Sequence, residues 1–181
     1  MEYFVLALIG RIGLKSLYEL RQQAGLEPGG IRSAMKTLET GKLISRTDPG
    51  KRRRRELTVT SAGNAIIERS WQGCLRDYSD ADAVLRAALV AWIMGSPVAA
   101  ASYLNHIGES RWERAQQMKQ EEEHLKRSQS GPLSSYAWMR ISHEVHRRGA
   151  ESEAFLSMSG FIEEHFSNDA CNARQRGATS E

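Results

Sequence analysis

Five consecutive cations, Lys51, Arg52, Arg53, Arg54 and Arg55, follow a turn-forming Asp48-Pro49-Gly50. Like charges repel, so holding five together needs a dense counter-charge. A nucleic-acid backbone is one: cations that neutralise phosphates release condensed counterions and gain affinity. Arg also favours the negative potential of a narrow minor groove. A solvated basic loop or a localisation signal has the same composition, so the flanking elements decide the meaning. A second set of donors lies upstream. Arg32, Ser33, Lys36, Thr37 and Thr40 fall on the outward side of a helical pattern whose other side is Ile31, Met35 and Leu38. Arg32 and Lys36 are long donors suited to guanine, and Ser33 can bond a base or a phosphate. Gly29 and Gly30 open that pattern, where free backbone N–H groups let a phosphate approach closely.

Other chemistry is sparse. His143-Glu144-Val145-His146 is one residue short of the His-Glu-x-x-His zinc signature. Its histidines are three apart, and no third ligand has suitable spacing, so a surface histidine pair is the simpler reading and no metal is expected. Glu121 to Glu123 and His124 read as a solvated helix face. Cys74 and Cys171 form no metal or redox spacing and are read as reduced thiols. There is no Gly-rich phosphate loop and no nucleophile motif, so neither an enzyme nor a cofactor is expected.

The elements that must position the donors are legible from periodicity. Tyr3 to Ile9 predicts a short buried helix stopping near Gly10. Leu14 to Gln23 predicts a second, ended by Ala24-Gly25. Pro28 opens a third, where its missing N–H costs nothing, with Ile31, Ala34, Met35 and Leu38 inward and Gly41 as the residue after its end. The period then changes. Leu43 to Thr47 and Glu56 to Thr60 carry β-favouring residues around the Asp48-Pro49-Gly50 turn, which predicts a hairpin with the cations at its tip and on its second strand. Alternation puts Leu57 and Val59 on one side of that strand. Thr60 or Ser61 caps a following helix through Ile66, Ile67 and Trp71. Three helices followed by a two-stranded ribbon are the order of a winged helix-turn-helix, in which the third helix reads bases through its N-terminal residues and the cations form the wing.

The stretch "LYELRQQAGLEPGGIRSAMKTLETGKLISRTDPGKRRRRELTVTSAGNAI", Leu17 to Ile66, resembles the PadR-like transcriptional regulators. The likeness rests on the Tyr-Glu-Leu of the second helix, the Gly-led third helix with its Leu38-Glu39 ending followed by Gly41 and Leu43-Ile44, the Arg-rich wing and the Thr-x-x-Gly exit. It covers about the first 70 residues. It implies a homodimer made by the C-terminal region, whose last helices reach across to the partner's N-terminal domain.

Composition agrees with two jobs. The chain has 181 residues and a net charge of +3. Residues 1–70 hold 13 Lys/Arg against 7 Asp/Glu, and residues 71–181 hold 12 against 15, so +6 in front is offset by −3 behind. No apolar run approaches the roughly 18 residues that span a bilayer, and Met1-Glu2 offers no cationic leader. A cytoplasmic protein without a membrane partner is the expectation. The second half predicts helices over Val84 to Met94, from Pro97 to about Arg127, from Leu133 to Arg148 and from Ala150 to Phe166, with a linker at Arg127 to Leu133. The expected organisation is mainly α. A winged helix-turn-helix over residues 1–75 precedes a helical dimerisation domain over 80–167 and a disordered tail over 168–181. The sustained stripe on the long helix favours a two-fold dimer, with a monomeric bundle as the alternative. Trp92, Trp112 and Trp138 are candidates to line a pocket for a small planar or apolar effector, although tryptophans of this kind are more often core or interface residues. The resulting expectation is a homodimeric regulator, a repressor, on a pseudo-palindromic site in double-stranded DNA. A winged-helix module for protein interaction or RNA binding, without its own operator, is the alternative.

Overall fold

The computed structural model describes residues 1–47, 56–76, 78, 80–127 and 131–177, and side chains up to Phe166. The fold is mainly helical with one small two-stranded antiparallel sheet. The chain divides into two compact units, Met1–Ser96 and Pro97–Glu181.

The first unit begins with α1, Glu2–Ala7, which continues as a π-helical turn over Leu8–Ile12. It therefore passes Gly10, where the sequence predicts a stop. Gly10 meets the neighbouring helix instead: a Cβ there would lie 2.7 Å from Ile67 Cδ1. Gly13, at φ +79, ends the turn. Helix α2, Leu17–Ala24, starts with a complete capping box between Ser16 and Glu19 and ends at left-handed Gly25. Helix α3, Pro28–Thr40, has Pro at its first position and buries Ile31, Ala34, Met35 and Leu38. Gly41 ends α3 with an ordinary φ of −74, and the left-handed residue is Lys42 at φ +55. The sequence assigns that reversal to Gly41. The chain makes it one residue later, where the backbone N–H of Leu43 reaches the Leu38 carbonyl at 2.9 Å.

Strands β1, Ile44–Arg46, and β2, Leu57–Val59, pair with Ile44 opposite Val59 and Arg46 opposite Leu57. Ile44 and Leu57 point into the core, while Ser45 and Thr58 share a hydroxyl hydrogen bond of 2.8 Å on the outer side. A three-residue ribbon is marginal alone. This one is anchored on a second edge, where the Leu57 N–H donates to the Lys15 carbonyl at 2.9 Å. Helix α4, Ser61–Cys74, is capped by Thr60, whose hydroxyl accepts from Gly63 N–H at 3.1 Å and donates to the Lys42 carbonyl at 2.8 Å. Gly63 is required sterically, because a Cβ would sit 2.3 Å from the Leu43 carbonyl oxygen and 2.6 Å from Val59.

Helix α5, Ala81–Ile93, capped by Asp80, also belongs to this unit. The sequence places it at the head of a second domain starting near residue 80. Its Val90 joins the core cluster of Val5, Leu6, Leu20, Ile31, Leu38 and Ile67, with Ile93 packed alongside. Burial of that face decides the matter over chain order.

The second unit is a helical hairpin. Helix α6 spans Pro97–Arg127 and α7 spans Pro132–Gly177. Ser152 donates to the Gly108 carbonyl at 2.7 Å and Ser159 to the Ala101 carbonyl at 2.9 Å, so the helices run antiparallel. Gly108 admits Leu156, which a Cβ would approach to 2.8 Å. Arg111 pairs with Glu151 and lies 5.3 Å over the Phe155 ring. Two features differ from the sequence expectation. The helices predicted over Leu133 to Arg148 and Ala150 to Phe166 are one helix. Gly149 costs about 1 kcal/mol in such a place, but Arg147 spans it to Glu151 at 2.8 Å, and just beyond it Ser152 is held on the Gly108 carbonyl of α6. The tail expected to be disordered from residue 168 is helical through Gly177; residues 178–181 lie outside the described part. No helix among the described residues is long and apolar enough to cross a membrane.

Candidate nucleic-acid interface

Helix α3 sorts its side chains into two faces. Ile31, Ala34, Met35 and Leu38 are buried, whereas Arg32, Ser33, Lys36 and Thr37 are exposed. Arg32 and Lys36 are one turn apart and share a stripe. The Thr37 hydroxyl donates to the Ser33 carbonyl at 3.2 Å and the Thr40 hydroxyl to the Lys36 carbonyl at 2.8 Å. Both oxygens keep acceptor capacity, so Thr37 is an acceptor at this surface more readily than a donor. At the N-terminal end, Glu27 precedes the helix without a side-chain cap. The first-turn N–H groups are thus left for another acceptor. A Cβ at Gly29 would meet nothing within 4 Å, so the fold does not demand glycine there. Gly30 is half-buried near Met1.

The pairing of charges divides the cations of this unit. Arg11 pairs with Glu68, Lys15 with Glu56 at 3.4 Å, and Arg46 with Glu39. Among the described residues, Arg21 on α2, Arg32 and Lys36 on α3, and Lys42 just after it have no carboxylate partner. They are exposed and lie on consecutive elements. Arg21 and Lys42 add to the donors read from the sequence. Their signal was present, since both stand at polar positions flanking the third helix, but such positions carry cations on most soluble surfaces.

The ribbon leads towards the basic run. Its described ladder reaches Thr47, whose N–H donates to the Glu56 carbonyl at 3.0 Å. Lys51, Arg52, Arg53, Arg54 and Arg55 lie outside the described residues, as does the Asp48-Pro49-Gly50 turn.

The tryptophans are distributed over both units. Trp92 is half-buried on α5 in the first. Trp112 and Trp138 belong to the second. Trp112, 49% exposed, lines a groove of about 410 Å³ with Lys119, His146 and Glu153. Trp138 has its indole Nε1 buried with no hydrogen-bond partner among the described residues. A larger groove of about 580 Å³ is lined by Met118, Tyr136, Met139 and His143. Periodicity did not single out Tyr136 or Met139, because a helix with two apolar faces blurs the pattern. His143 and His146 join no metal site: no group of three or more His, Cys, Asp or Glu side chains among the described residues could hold a metal ion.

No protein-family model matches the chain, and no curated protein matches it.

Proposed function

We propose that this protein is a sequence-specific, double-stranded DNA-binding transcriptional regulator of the winged helix-turn-helix type, PadR-like, and a repressor. Residues 1–75 would carry the DNA contacts, with α3 as the reading helix and the β1–β2 ribbon as the stem of the wing. The observation that carries the reading is the exposed Arg32–Lys36 stripe, without carboxylate partners among the described residues, on the helix that leads directly into a ribbon bearing five cations in sequence. An exposed cation normally costs nothing unpaired. A row of them beside an uncapped helix start is a surface suited to phosphates and base edges.

The second unit supports a homodimer. Two helices cannot enclose an interior, and Trp112, Leu133, Tyr136, Met139, Phe161 and Phe166 remain exposed on them. A second copy of the hairpin would cover such groups, and a two-fold dimer matches a pseudo-palindromic operator. An effector, if this regulator takes one, would be a small planar or apolar molecule in the groove beside Trp112.

Binding to selected and to random duplexes tests the reading. Arg32→Ala or Lys36→Ala should cost about 1–3 kcal/mol on the preferred site and much less on random DNA. Replacing Arg52, Arg53 and Arg54 together by Ala should weaken both duplexes alike. It should also make the salt dependence shallower by about 0.9 for each phosphate that is no longer neutralised. No binding to any duplex by the unaltered protein would overturn the proposal.

A further inference from the structure

On an ideal helix of 100° per residue, Arg32, Lys36 and Glu39 fall within about 60° of one another. Glu39 therefore stands on the same stripe as Arg32 and Lys36, which have no carboxylate partner among the described residues, one turn further along α3. A carboxylate there would repel a phosphate backbone. It is instead occupied by Arg46 Nε, from the last residue of β1. On the other strand, Glu56 pairs with Lys15 at 3.4 Å. The two pairs are crossed in polarity: β1 contributes the cation, and the residue before β2 contributes the acid. All four side chains are between 34% and 59% exposed. Such exposed pairs add little to stability, about 0–1 kcal/mol each, so their consequence lies in the field they leave for a partner.

We propose that Glu39 and Glu56 are specificity-determining residues that mask Arg46 and Lys15, withholding these two cations from the phosphate backbone while the basic run and the donors of α3 remain available to DNA. This rests on the DNA-binding reading above and deepens it. Non-specific affinity grows with the number of phosphates neutralised, whatever the base sequence. Base contacts discriminate only against that background. Holding two cations at the stem of the ribbon in internal pairs therefore lowers binding to random DNA more than to the preferred site, where α3 adds base contacts. The pairs are weak enough to open, but opening exposes a carboxylate along with each cation, so the net gain to DNA is small while the acid is present.

The test measures affinity for a selected site and a random duplex across a range of salt concentrations. It uses the unaltered protein and the variants Glu39→Gln, Glu56→Gln, Arg46→Gln and Glu39→Gln/Arg46→Gln. Glu27→Gln serves as the control for charge alone, because Glu27 is exposed and pairs with no cation among the described residues. Glu39→Gln and Glu56→Gln should each bind random DNA several-fold more tightly at low salt. Their salt slopes should steepen by up to about 0.9 for the one cation released, and the ratio of specific to random affinity should fall. Arg46→Gln should weaken both duplexes by baring Glu39, and the double variant should return near the starting affinity. Weakening by Glu39→Gln and Arg46→Gln alike would mean that the pair only braces the ribbon, which overturns masking. So would a Glu39→Gln slope no steeper than that of Glu27→Gln. Thermal melting of each variant separates both results from misfolding. Failure of the unaltered protein to bind DNA would instead remove the functional reading itself.

Discussion

The two units solve the problem of burying apolar surface in opposite ways. In Met1–Ser96, short helices and a ribbon surround a core in which Val5, Leu6, Leu20, Ile31 and Ile67 are at most 1% exposed. Many sequence-distant segments each contribute one or two side chains. In Pro97–Glu181, two long helices bury the small residues Ala100, Ala101, Gly108, Ala115, Ser152 and Ser159 together with Tyr103, Leu104, Ile107, Phe155 and Ile162. Several other large side chains face outwards. Leu133 is 85% exposed, and Tyr136 and Phe161 are each 59% exposed. The first arrangement is closed and presents charge. The second is open and presents apolar surface. Closure fixes the spacing of the side chains on its surface, whereas the open hairpin leaves large apolar side chains exposed.

The largest expected effect sharpens this contrast within the closed unit. Leu20→Ala removes a side chain with no exposed surface and should cost about 2–5 kcal/mol. Denaturant unfolding followed by a probe in each unit should show the loss in the first. A cost below about 1 kcal/mol would show that its core is not closely packed. The next effect tests the open unit. Replacing Leu133 and Tyr136 together by Ser should leave helix content unchanged while weakening self-association at least about tenfold, equivalent to about 1.4 kcal/mol. Sedimentation reads this directly. An unaltered protein that sediments as a monomer of 20.3 kDa would break the comparison.

The smallest effect returns to the closed unit. The Tyr3 hydroxyl donates to the Ile67 carbonyl, tying α1 to α4. Burial, with a smaller contribution from nearby Cys74, pushes the Tyr3 phenol up from 10.0 to about 12. Ionisation is therefore easier in the unfolded chain than in the folded one. The stabilisation is complete below pH 10 and is lost as pH rises towards 12. Thermal melting should fall across that interval, and Tyr3→Phe should remove this component of the fall. An identical pH dependence in Tyr3→Phe would show that other groups account for it.

Much of the first unit was legible from local pattern. The Thr60 cap, Pro28 opening α3, and the inward set Ile31, Ala34, Met35 and Leu38 all rest on residues close together in the chain; the Ser16–Glu19 capping box is equally local, yet the expected helix start at Leu14 passed over it, and α2 begins at Leu17. Interactions of that range are written in adjacent letters. The outward set on α3 was legible for the same reason. Gly149 was misleading because glycine disfavours a helix locally, while the packing that carries α7 through it comes from α6, with 44 residues separating Ser152 from Gly108.

By itself, then, the sequence determined where α3, α4 and α6 begin, which face of α3 is apolar, and that two β-favouring segments lie on either side of a run of five cations. Only the tertiary structure decided that α5 packs in the first unit, that Gly63 must be glycine beneath the Leu43 carbonyl, and that Ser152 and Ser159 align α7 on α6. It also decided, among the described residues, which cations are paired. Arg46 and Arg32 are equally basic as letters, yet Glu39 pairs with one and leaves the other open. The physical reason is range. Propensity and periodicity act between near neighbours, whereas close approach and charge pairing depend on segments brought together only when the chain has folded.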